Sequence, residues 1–167
     1  MITIIAAVGR NLELGKNNGL IWHLPSDLQF FKEQTKGNII AMGKNTFDSL
    51  PFLLPGRKHV ILSLDDNFNK EIGDSIVFHD AEEFIAYCKK VGQDSNIFII
   101  GGGSVYKMFI DIADALILTE IDAEDSQADV YFPKFEKQEY TEEFMGNGQD
   151  NGISFTHKRY LRKVIRE

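Results

Sequence analysis

Cysteine is almost absent from this chain. Cys88 stands alone among 167 residues, so no intrachain disulfide can form. Its setting, FIAYCKKV, reads as mid-helix, where a thiol behaves as a small buried hydrophobe. Positive charge is also in deficit: Lys plus Arg total 18 against 25 Asp plus Glu, a net charge of −7. That balance argues against a dedicated binder of nucleic acid or of an anionic membrane. No apolar run approaches the ~20 residues that cross a bilayer. The amino-terminal MITIIAAVGRN has no basic region ahead of it and reads as a core strand rather than an export signal. A cytoplasmic location is therefore expected. His23, His59, His79 and His157 are scattered, without H-E-x-x-H or a cysteine pair, so no metal site is expected. G-x-S-x-G and G-x-x-x-x-G-K-[ST] are missing as well, leaving a hydrolase elbow and a P-loop unsupported.

What is present is an ordinary globular composition, 43% hydrophobic and 26% charged, of a length that favours a single domain over 1–167. Apolar runs at 3–8, 38–43, 55–63, 75–79, 96–100 and 115–121 read as strands. Between them, Pro25 fits the first position of a helix running to about Thr35, and 44–50 makes a short helix stopped by Pro51. Asp80 caps a helix over 81–91, with Glu83 three residues on. Residues 11–24 read as a long loop, and the tail, 139–145 and 153–164, alternates like an antiparallel hairpin. Continuous Val/Ile strands separated by helices predict an α/β fold: a mostly parallel central sheet of about eight strands, flanked by helices on both faces, with an antiparallel C-terminal hairpin. Ligands of such sheets bind beyond the carboxyl ends of the strands.

Four stretches could carry chemistry, the first two of them at such ends. In IFIIGGGSVY a strand runs into three glycines and then a helix, where bare backbone can approach a ligand and free N–H groups can meet phosphate; a tight strand–helix turn is the plainer reading. AMGKNTF places Lys44, Asn45 and Thr46 at a second helix start, equally readable as a capped helix with an exposed lysine. LPGRKHVIL offers Arg57, suited to bidentate capture of a carboxylate or phosphate but also at home on a surface. LIWHLPSDLQFF sets Asp27 beside Leu24, Leu28 and Phe31; either it complements the helix dipole, or it is an acid on an apolar cleft wall that holds or relays a proton.

Taken in order, LIWHLPSDLQFFKEQT, MGKNTFDSL, LPGRKHVILS, IIGGGSVY and LTEIDAEDSQADVYFP resemble the bacterial dihydrofolate reductases along essentially the whole chain. The resemblance implies a dihydrofolate reductase-like fold and reduction of dihydrofolate to tetrahydrofolate, with hydride donated by NADPH. It implies Asp27 as the active-site carboxylate, supported by Trp22 through an ordered water and by Thr119 through a hydrogen bond. It further implies Ile5, Ala7, Leu28, Phe31, Leu50 and Leu54 as substrate-pocket walls and Arg57 as the grip on the glutamate α-carboxylate. For the cofactor it implies Ala7, Leu20, Gly43, Lys44, Asn45, Thr46, Ser63, Ile100, Gly101, Gly102, Gly103, Ser104, Val105 and Tyr106, with 9–24 a mobile lid and Gly101–Gly102 a cis peptide. A monomer is expected, with dihydrofolate and NADPH as its small-molecule partners. Two alternatives stay open: a pyrimidine reductase of the same fold, and a catalytically silent nucleotide-binding module.

Overall fold

A computed structural model describes residues 1–50, 53–68 and 75–164; the expected stop at Pro51 lies outside them. The strands are β1 (Ile2–Val8), β2 (Glu13–Lys16), β3 (Gly19–Leu20), β4 (Ile39–Gly43), β5 (Lys58–Leu62), β6 (Ile76–Phe78), β7 (Ile97–Ile99), β8 (Ala115–Ile121), β9 (Val130–Tyr131), β10 (Tyr140–Asp150) and β11 (Ile153–Arg162). The helices are α1 (Pro25–Thr35), α2 (Lys44–Ser49), α3 (Ala81–Val91) and α4 (Gly103–Phe109). The main sheet has eight strands in the order β10-β11-β8-β1-β7-β4-β5-β6. Its β8-to-β6 portion is parallel throughout, and β11 and β10 close the other edge antiparallel. This is the architecture expected from the alternation of Val/Ile runs with helical segments.

Side chains leave a strand on alternate faces, so β1 feeds two cores. Ile2, Ile4, Ala6 and Val8 join Phe84 and Cys88 of α3 and Val105, Tyr106 and Phe109 of α4. Ile5 joins Ile40, Met42 and Ile61 with Phe47 of α2, against which Phe30 and Phe31 of α1 pack. The helix starts follow local rules. Pro25 occupies the first turn of α1, and the Asp80 carboxylate accepts from the Glu83 N–H at 3.0 Å.

The stretch expected to be a long loop, 11–24, instead carries β2 and β3, which form a small antiparallel sheet with β9. Its strands are two to four residues long, too short for any periodicity to show in Gly- and Asn-rich sequence. Tertiary partners hold it. Glu13, 1% exposed, accepts from the Asn11 and Asp125 N–H groups, each at 2.7 Å, and the Asn17 N–H donates to Asp129 at 3.0 Å. No helix among the described residues is long and apolar enough to cross a membrane.

Candidate active site

The acid that stands out in the sequence meets two donors at the sheet. Registers align Ala7 of β1, Thr119 of β8 and His157 of β11 in one row across three adjacent strands, so these side chains share a face. α1 lies over that row. Thr119 Oγ1 donates to Asp27 Oδ1 at 2.5 Å, and His157 Nε2 lies 3.0 Å from the same oxygen. Asp27 Oδ2 has no hydrogen bond among the described residues, which leaves it to a ligand.

The C-terminal hairpin fixes where α1 begins. The Asp150 carboxylate accepts from Ser26 N–H and Ser26 Oγ, each at 2.7 Å, and Asn151 donates to the His23 carbonyl at 3.0 Å. Leu24 is buried with Ile121 and Phe155, and Trp22 and Ala7 pack against that cluster. Leu28 and Leu20 are exposed, while Phe31, Leu50 and Leu54 belong to the core under α2.

Arg57 sits at the far end of α1, because the Gly37 N–H just past that helix donates to the Gly56 carbonyl at 3.0 Å. Its Nε and Nη1 are buried without a hydrogen-bond partner among the described residues, and burial lowers the guanidinium pKa from its ordinary value. His59 shapes the same turn: Leu54 N–H donates to Nε2 at 3.1 Å, so Nδ1, 3.2 Å from the Arg57 carbonyl, carries the proton. An eleven-residue helix is about 16 Å long. The acid and the cation therefore lie toward opposite ends of α1, whose Phe31 packs in one cluster with Leu50 and Leu54.

The glycine run and α2 converge on the other side of β4. Gly43 N–H donates to the Gly101 carbonyl at 2.9 Å, which sets 43–46 beside 100–103. Gly101–Gly102 is a cis peptide as expected, and Gly101 has φ +133°, closed to other residues without strain. Thr46 Oγ1 stands 3.2 Å from where a Gly101 Cβ would lie. Gly103 answers to packing: a Cβ there would come within 2.8 Å of Val130. Ser104 is exposed, Val105 is buried in the α4 core, and Tyr106 OH donates to the Ile5 carbonyl at 2.8 Å, with burial raising its pKa. Lys44 pairs with Asp48 at 2.8 Å and lies over the Phe68 ring.

Ser63 departs from its expected role. It is 1% exposed, and its hydroxyl both donates to the Asp65 carbonyl and accepts from the Asp65 N–H, each at 3.3 Å. A serine two residues before a turn amide closes a local hydrogen-bonded ring, so its oxygen is turned inward rather than offered to a ligand. Among the described residues no group of three His, Cys, Asp or Glu is disposed to hold a metal.

The family model described as dihydrofolate reductase matches residues 1–162. The chain belongs to the dihydrofolate reductase family. It is 32% identical over 165 residues to the dihydrofolate reductase of Neisseria gonorrhoeae, covering 97% of this chain and 98% of that one. It is 37% identical over 136 residues to the type 3 dihydrofolate reductase of Salmonella typhimurium, covering 81% and 80%. The Bacillus subtilis (strain 168) dihydrofolate reductase is 34% identical over 140 residues, covering 84% and 80%. Membership makes this chain an oxidoreductase of the dihydrofolate reductase type, working with a nicotinamide cofactor. For a dihydrofolate reductase the sequence reading overlooked His157, set aside with the other histidines. The alternation in ISFTHKRYLR carried a signal, since it puts His157 on the buried face with Phe155.

Proposed function

We propose that this chain reduces dihydrofolate to tetrahydrofolate with NADPH as the hydride donor, as a cytoplasmic monomer folded as one domain over 1–167, supplying tetrahydrofolate for one-carbon metabolism. One observation carries the substrate reading. Asp27, with Oδ2 open, and Arg57, with Nε and Nη1 buried and unpaired, stand at opposite ends of α1 with an apolar wall between them. A substrate with a flat amino-heterocycle at one end and a carboxylate tail at the other meets both needs. A buried donor without a partner is costly, so Arg57 is built for an anion that arrives with the ligand.

Asp27 Oδ2 accepts N–H hydrogen bonds from the 2-amino-pyrimidinone edge, while Thr119 holds Oδ1. Reduction of the C6=N5 bond adds a hydride at C6 and a proton at N5. Asp27 favours that protonation through a water held near Trp22, at a site walled from bulk solvent by Leu28 and Phe31. Bound NADPH supplies the hydride from its nicotinamide ring. Ala7, Ile5 and Tyr106 would orient that ring, and the segments 43–46 and 100–105, with Leu20, would hold the rest of the cofactor. The bare main chain at Gly101 and Gly102 beside Thr46 fits a closely held phosphate chain. Lys44 is the charge that favours NADPH over NADH, since Ser63 is turned inward.

The test follows loss of reduced-nicotinamide absorbance with dihydrofolate, using NADPH and NADH in turn, and with methotrexate as inhibitor. Methotrexate-sensitive turnover that is faster with NADPH is expected. Equal rates with NADH would overturn the role of Lys44, and no turnover by folded protein would overturn the reaction.

A further inference from the structure

The dihydrofolate reading uses Asp27 and Thr119 but leaves His157 without a task. His157 is 7% exposed, in the antiparallel strand β11, 130 positions from the carboxylate it touches. Its ring is stacked on Phe30 with centroids 3.6 Å apart and planes 6° from parallel, and Phe155 packs at 5.2 Å. A ring clamped between two aromatics has one orientation, and that orientation aims Nε2 at Asp27 Oδ1. Because an ionised carboxylate only accepts, Nε2 is the protonated nitrogen. Thr119 and His157 both spend their donors on Oδ1 and leave Oδ2 open.

We infer that His157 is a positioning residue for the Asp27 carboxylate, holding Oδ1 so that Oδ2 faces the substrate and keeping the acid in its charged, accepting form. This rests on the dihydrofolate reading for its consequence in turnover, though not for the pair itself. The charged groups around the ring support assigning its partner to Asp27. From α1 it meets Asp27; from β8, the neutral Thr119; from β10, Gly146 in register. The flanking Lys158 is engaged by Glu120 and Glu142, and Arg159 by Glu143. Asp150, nearest along the hairpin's end, is taken by Ser26.

Two measurements on the full chain test this. The first records the His157 imidazole nitrogen signals by NMR in wild type and in Asp27→Asn. The Nε2 signal is expected to shift when the carboxylate is removed, because its acceptor changes. The second takes the pH profile of kcat/KM for dihydrofolate in wild type, His157→Phe and His157→Gln. Phe keeps the stack and removes the donor, and should change the shape of the profile; Gln keeps an N–H donor and should hold that shape near wild type. A role in packing alone would scale activity alike at every pH. An unmoved imidazole in Asp27→Asn, or matching profiles in wild type and His157→Phe, overturns the inference and leaves the dihydrofolate reading standing. A coupled imidazole in a protein that does not turn over dihydrofolate supports the pair and overturns that reading instead.

Discussion

Replacing Arg57 by Met separates binding from stability in a way few substitutions do. Met keeps an unbranched stem in the same groove and removes every N–H donor. In the free protein Nε and Nη1 have no partner, and burial already disfavours the charged form, so the fold loses no hydrogen bond at those atoms. The melting temperature of ligand-free protein should stay level or rise. With substrate bound, the account reverses. A carboxylate seated on a guanidinium edge makes two charge-assisted bonds, each worth about 1.5–3 kcal/mol. Allowing about half of that sum for desolvating the carboxylate leaves roughly 1.5–3 kcal/mol. At 1.4 kcal/mol per factor of ten, KM for dihydrofolate should rise about 10- to 100-fold. KM for NADPH should be unchanged, because the groups proposed for the cofactor lie beyond β4 and β7. The assay is steady-state turnover with each substrate varied, beside a thermal melt with and without dihydrofolate. A rise of less than about threefold, or an equal rise for NADPH, would refute the reasoning. So would a loss of more than about 4 °C in the free protein, since that would mean Arg57 was supporting the fold.

Asp27→Asn should lower turnover of dihydrofolate at neutral pH by about 10²- to 10⁴-fold while NADPH still binds by fluorescence titration; near wild-type rates would remove Asp27 from the chemistry. His59 has its pKa lowered from 6.5, chiefly by burial, so it contributes stability that is complete above 6.5 and is lost as pH falls toward its folded value. Melts at falling pH should accordingly weaken wild type more steeply than His59→Gln, and parallel curves would count against the neutral His59 bridge between Leu54 and Arg57. Burial pushes the Cys88 thiol up to about 12, so at pH 8 a thiol reagent should label native protein far more slowly than protein in denaturant. Fast labelling of the native state would contradict the packing of α3 on the sheet.

Some of this protein is written locally. Pro25 opens α1 and Asp80 caps α3 because the groups involved lie within a few residues of one another. The parallel strands announce themselves as Val/Ile runs because both of their faces are covered. The hairpin is legible by alternation over 139–145 and 153–164, although its first strand runs on to Asp150. Asp27 and the glycines were readable because they fall at a helix start or just past a strand end, and Arg57 because it follows the Pro-Gly turn that opens β5.

Ser63 shows where that stops. Its place beside β5 was right, but the direction of its hydroxyl follows from a turn onto Asp65 that no pattern specifies. The small sheet of β2, β3 and β9 was missed because its strands are too short to show a period: β2 and β3 pair as a tight local hairpin, and β9 joins from more than a hundred residues away. Glu13 and Asp125 hold it by the same kind of long-range bond. By itself, then, the sequence determined the main-sheet strands and the helices, the sheet class, the family and the candidate acid and cation. Tertiary structure alone decided that Arg57 is left without a partner and that His157 and Thr119 converge on one oxygen of Asp27. Periodicity and capping act over one or two turns of chain, whereas hydrogen-bond geometry at the site is set by the register of β8 against β11 and by where Asp150 pins the start of α1.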